Sequence, residues 1–264
     1  MRGMLPPFVV LVVLLFCTTS SAALRAGDFE YREGETVLQG YLAYDDSVQG
    51  KRPGVLVVHE WTGIGPYVKH RVEQLAGMGY VALAADIYGK GVRPKNAAEA
   101  GRTMTIYRND RALLRARVRA GLEALLKQPS VDPTRVAAIG YCFGGMTVLE
   151  LARSGADIAG VVSFHGVLDT PTPEDARNIK AKVLVLSGGD DPNVPMEQVA
   201  AFVKEMRAAH VNWELTLYGG TVHSFTNPDA GNDPSKGAAY NAQADRRSWQ
   251  AMRDFFREIL GAAR

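Results

Sequence analysis

Cysteine is nearly missing from this chain: its 264 residues hold two, Cys17 and Cys142. No cysteines or histidines stand at metal-ligand spacing, so no metal is expected. Neither a G-x-G-x-x-G nor a P-loop string occurs, and nothing else calls for a cofactor. Charge of either sign is scarce in excess, with 30 Lys and Arg against 28 Asp and Glu. No basic run interleaves with aromatics, which removes nucleic acid from the expected partners. The apolar run Phe8–Phe16 is short for a bilayer span.

That run suits export instead. Arg2 supplies a positive head, Phe8–Phe16 an apolar centre, and Ser20 to Ala23 small residues for cleavage. The pattern predicts a secretory signal over residues 1–22 and one domain over 23–264. The mature protein is then secreted or periplasmic, with no stable membrane span. Processing leaves Cys142 as the sole cysteine, so no internal disulfide can form. A lone thiol in an oxidising compartment is either a small buried apolar group or a working one.

Along the rest of the chain, β-branched runs alternate with helical patterns. "FEYREGETVLQGYLAYDD" reads as two strands turning at Gly34. Strands are predicted at 54–60, 80–86, 136–141, 158–164, 182–188 and 213–219. Helical stripes fall at 67–77, 111–127 and 145–153, at Val199–Met206, and from Trp249 to Leu260. Continuous apolar strands separated by helices predict an α/β fold: a mostly parallel central sheet with helices on both faces. Residues 226–241 form the longest stretch without a pattern, and such loops are usually functional or mobile.

One turn concentrates the chemistry. In "VAAIGYCFGGMTVLELA", Gly140, Cys142 and Gly144 make G-x-C-x-G between a strand and a helix. A nucleophile elbow needs those glycines because side chains there collide with the strand or the helix. The turn lifts Cys142 above the sheet and aims the Phe143 N–H at the same point. A thiol nucleophile needs a base, and in this arrangement the base follows in sequence. His165, His210 and His223 follow; His223, in the loop after the last strand, fits best. The orienting acid belongs after strand 182–188, where Asp190 and Asp191 stand. Trp61, after strand 54–60, offers a second N–H for an oxyanion. Glu60 beside it either pairs with a basic group or reaches the thiol.

"HEWTG", "DIYG", "GYCFGG", "GGDDPNVP" and "HSF" together resemble the dienelactone hydrolase family, across nearly the whole mature chain. The resemblance implies a single-domain α/β-hydrolase fold with a Cys–His–Asp triad and no cofactor. It matches Cys142 to the nucleophile, His223 to the base and Asp191, rather than Asp190, to the acid. It matches Trp61 and Phe143 to the oxyanion hole, and Glu60 to a glutamate that contacts the resting cysteine. Members that cleave dienelactone hold its carboxylate with two arginines. Those positions are Lys90 and Asn227 here, so a small anionic lactone is held less firmly. Tyr88 and His165, at strand ends, join Lys90 and Asn227 as expected pocket residues. The expected reaction is hydrolysis of a small ester or lactone through a thioester. The alternative is a thiol redox or stress sensor built on Cys142, which leaves His223 and Asp191 without a purpose.

Overall fold

The computed structural model describes residues 24–262. The export signal expected over 1–22 lies outside the described residues. Strands β1 (Leu24–Glu33) and β2 (Thr36–Asp45) form an antiparallel hairpin, and Gly34 supplies the positive φ of its turn. Six further strands follow: β3 (Arg52–Val58), β4 (Val81–Ala85), β5 (Val131–Tyr141), β6 (Gly160–Phe164), β7 (Lys182–Gly188) and β8 (Trp213–Tyr218). The sheet order is β1-β2-β4-β3-β5-β6-β7-β8. From β4 to β8 every pairing is parallel, and β2 joins β4 antiparallel.

The alternation within β3 shows how the sheet divides its two cores. Val55 and Val57 face Val68, Val72 and Leu75 of helix α1 (Pro66–Gly77). Met252, Phe256 and Leu260 of the last helix complete that layer. Leu56 and Val58 point the other way, toward the helices that follow β4, β5 and β7. Those helices are α2 (Ala97–Asn109), α3 (Arg111–Leu126), α4 (Phe143–Arg153) and α5 (Met196–Ala208), and α6 (Ala242–Leu260) is the last. Burial on both faces explains why β3 to β7 read as unbroken apolar runs.

Helix α2 has no counterpart in the sequence pattern. It buries only Ala100 and Tyr107, too little for a visible apolar stripe. Local capping defines it instead. The Asn96 side chain accepts from the Glu99 N–H, and Glu99 in return accepts from the Lys95 N–H. The patternless stretch after β8 is ordered by two short 3-10 turns and a bridge between His223 and Ala238. No helix among the described residues is long and apolar enough to cross a membrane.

Candidate active site

The carboxyl ends of five parallel strands meet above the sheet. They deliver Glu60 and Trp61 (β3), Tyr88 (β4), Cys142 (β5), His165 (β6) and Asp191 (β7), with His223 in the loop after β8. Cys142 sits between β5 and α4 at φ 55° and ψ −114°, a conformation side chains rarely adopt. The close packing around it demands glycine. A Cβ at Gly140 would overlap the Gly144 carbonyl, and one at Gly144 would overlap the Val58 carbonyl of β3. Strand, turn and helix therefore approach closely enough to hold the strained residue.

Cys142 Sγ lies 3.0 Å from His223 Nε2, and His223 Nδ1 lies 2.8 Å from Asp191 Oδ2. The second Asp191 oxygen accepts the Asn193 N–H at 2.8 Å. Asp190 is not part of this chain of contacts. Burial by itself lowers the His223 pKa. The Cys142 sulfur and the Asp191 carboxylate outweigh it and push the imidazole up to about 10. The charged form of His223 is thus the one this site favours at neutral pH.

A cavity of about 310 Å³ opens over the sulfur. Trp61, Phe143, Met104, Met146 and Val167 make it mainly apolar, and Arg108, Asn193 and Ser224 add polar edges. Trp61 and Phe143 thus line the same cavity as Cys142. The Trp61 loop is held firmly: Tyr88 donates from its hydroxyl to the Trp61 carbonyl at 2.8 Å. His59 Nδ1 contacts the Glu60 carbonyl at 2.6 Å, and His59 Nε2 accepts the Ile87 N–H at 3.3 Å. Burial keeps His59 neutral, pushing it down to about 4.

Five expected pocket or control residues stand elsewhere. Tyr88 is buried behind Trp61, against His59 and Phe143, and shapes the loop without lining the cavity. His165 lies beneath the elbow, fully buried. Its φ is 40°, and its ring Nδ1 accepts the Cys142 N–H at 3.1 Å while Nε2 meets Thr226 Oγ1 at 2.8 Å. Lys90 is half-exposed and pairs with Glu30 at 2.6 Å, away from the sulfur. Glu60 is held by Asn227, whose Nδ2 donates to Oε2 at 2.6 Å. The two line a neighbouring cleft on the far side of Trp61 and Ser224. Burial raises the Glu60 pKa, which Asn227 and the charge on His223 partly offset.

The residues missed in the sequence come from elements with weak patterns. Met104 and Arg108 lie on α2, Val167 follows β6, and Ala238 belongs to the loop ordered by its bridge to His223. Met146, on the first turn of α4, was readable as an elbow neighbour. Among the described residues, no cluster of three or more His, Cys, Asp or Glu side chains could hold a metal.

The profile of the dienelactone hydrolase family matches residues 38–260. Two solved structures are similar over the whole fold. One, m3DLH, is 43% identical with a TM-score of 0.87, covering 90% of this chain and 99% of its own. The other is a dienelactone hydrolase-like promiscuous phosphotriesterase from metagenomic libraries. It is 42% identical with a TM-score of 0.86, covering 91% of this chain and all of its own. Protein usf of Aquifex pyrophilus is 28% identical over 236 residues, 88% of this chain and 97% of that protein.

Proposed function

The chain belongs to the dienelactone hydrolase family and is a carboxylic ester hydrolase, and from that premise we propose that Cys142, His223 and Asp191 form its catalytic triad. The observation that carries the reading is the continuous contact Sγ to Nε2 at 3.0 Å and Nδ1 to Oδ2 at 2.8 Å beneath an apolar cavity.

Cys142 sulfur, as thiolate beside protonated His223, attacks the carbonyl carbon of a small ester or lactone. The new C–S bond pushes the carbonyl electrons onto oxygen. The Trp61 and Phe143 N–H groups receive that oxyanion, each worth a few kcal/mol of barrier. Collapse breaks the C–O bond, and His223 Nε2–H gives its proton to the departing alkoxide. The product is a thioester and a neutral imidazole. Because the sulfur no longer carries charge, the largest influence raising the His223 pKa is gone. The ring then takes a proton from water, which attacks the thioester. Cleavage of the C–S bond releases the acid and restores the ion pair. Asp191 fixes the tautomer and steadies the charged ring throughout.

Turnover of 4-nitrophenyl esters by purified protein, with mass spectrometry of a Cys142-bound acyl group, tests this. A full rate without Cys142, or an acyl group on another residue, would overturn it. The thiol redox alternative gains nothing from the geometry, since Cys142 has no second cysteine beside it among the described residues. The phosphotriesterase relative suggests a side activity here, because the same sulfur and amides suit attack on phosphorus. Export over residues 1–22 is part of the proposal, and the mature protein then begins near Ala23.

A further inference from the structure

At the open edge of the apolar pocket two arginines share one carboxylate. Arg108, near the end of α2, lines the pocket and donates from Nη2 to Asp169 Oδ2 at 3.0 Å. Arg111, which opens α3, reaches toward Asp169 Oδ1 with its Nη2 at 3.9 Å, too far for a hydrogen bond. Asp169 Oδ1 and Arg111 Nε are both buried without a hydrogen-bond partner. The rest of the Arg111 head rests on a thioether: Nη1 lies 2.7 Å from Met146 Sδ in the pocket wall. Its side chain is only 10% exposed, and burial lowers its pKa.

The neighbouring carboxylates are already taken. Glu150 pairs with Arg115 and Arg153, Asp175 with Arg115, and Glu205 with Arg153. Only when Arg108, Arg111 and Asp169 are counted with them do four arginines meet four carboxylates. At the pocket edge two guanidinium groups face a single carboxylate, and an orphaned donor and an orphaned acceptor sit close together. Buried orphans of this kind are costly.

We propose that Arg108 determines specificity for substrates carrying one carboxylate remote from the scissile bond, through an exchange of partners. The substrate carboxylate takes the Arg108 guanidinium. Asp169, released, closes onto Arg111 and satisfies both orphans. Every charge at the edge is then paired, which suits a half-ester of a dicarboxylic acid better than a neutral ester. The site is separate from positions 90 and 227, where Lys90 is held by Glu30 and Asn227 is held on Glu60. The inference rests on Cys142 being the ester-cleaving nucleophile.

The test compares 4-nitrophenyl hexanoate with the mono-4-nitrophenyl ester of adipic acid, and reads the ratio of their kcat/KM values. Arg108→Gln should lower the adipate-to-hexanoate ratio about tenfold, chiefly through KM. Asp169→Asn should raise it severalfold by freeing Arg108. High salt should compress the ratio in the wild type and have little effect in Arg108→Gln. Circular dichroism of each variant monitors folding, and the half-exposed Arg108 is the safer of the two positions. A ratio indifferent to Arg108→Gln and to salt overturns the inference while leaving the hydrolase reading intact. Absence of any Cys142-dependent turnover of hexanoate would instead remove the reading beneath it.

Discussion

His165 Nδ1 accepts the backbone N–H of Cys142 at 3.1 Å, so a ring outside the pocket holds the amide of the elbow residue. The same N–H also reaches the Phe164 carbonyl at 3.0 Å. On its other side the ring meets Thr226 Oγ1 at 2.8 Å, and Tyr67 reaches that hydroxyl at 2.6 Å. Thr226 stands three residues after His223, so this one imidazole ties the elbow to the loop that carries His223. Burial, then the charge on His223, holds its pKa well below the usual histidine value, which keeps Nδ1 free to accept. His165→Ala should cost about 2–4 kcal/mol, from the cavity and the lost hydrogen bonds to Thr226 and the Cys142 N–H. It should lower kcat more than it raises KM, because the strain at Cys142 loses a support. Urea melts and steady-state kinetics check both, and an unchanged kcat would deny His165 its positioning role.

Removing the sulfur separates chemistry from fold. Cys142→Ala should abolish ester turnover while leaving the melting temperature within a few degrees of the wild type, since the side chain is only partly buried. Cys142→Ser should keep a trace, because His223 can still act as general base toward a hydroxyl. Residual full activity in the alanine variant would point to another nucleophile.

The raised pKa of His223 has a sign that stability measurements can read. An imidazole has an ordinary value near 6.5, and this one is pushed up to about 10. The folded state therefore binds the proton more tightly than the unfolded chain does. Its contribution is complete below about pH 6.5 and fades as the pH rises through about 10. The melting temperature of the wild type minus that of His223→Gln should be largest near pH 6 and shrink toward pH 10. Alkylating Cys142 removes the charged sulfur and should move the His223 titration, followed by NMR, to lower pH. A His223 midpoint unmoved by alkylation would contradict the ion pair.

Cys142, His223 and Asp191 were legible as candidates because each belongs to a local motif at or just after a strand end. Gly140 and Gly144 announce the backbone strain at Cys142, and His223 follows the last strand. Between Asp190 and Asp191 the residues alone left a choice, and family resemblance pointed to the one in contact with His223. The pocket wall was less legible for a physical reason. Arg108 and Met104 sit on α2, which buries so little that no periodic stripe marks it. His165 misled because a histidine at a strand end suggests a lining residue, and nothing in the sequence announces that its ring is spent on the Cys142 N–H and Thr226. Tyr88 misled in the same way, since its hydroxyl is spent on the Trp61 carbonyl.

Glu60 supplies the last prediction, and Asn227 decides its form. The sequence suggested a carboxyl that restrains the thiol, yet Glu60 Oε2 is occupied by Asn227 Nδ2 at 2.6 Å while the sulfur faces His223. Control of the thiol by Glu60 therefore requires that it first leave Asn227. Burial raises its pKa, so a released carboxyl is well suited to share a proton with sulfur. Glu60→Gln alone should then change the rate of iodoacetamide alkylation at pH 7 little, because the carboxyl is held by Asn227 rather than by the thiol. Asn227→Ala should slow alkylation severalfold, and adding Glu60→Gln to it should restore the rate. That double substitution is the decisive arm, since a slow rate persisting without the carboxyl would mean that Asn227 acts on His223 or the loop and that Glu60 exerts no hold on Cys142.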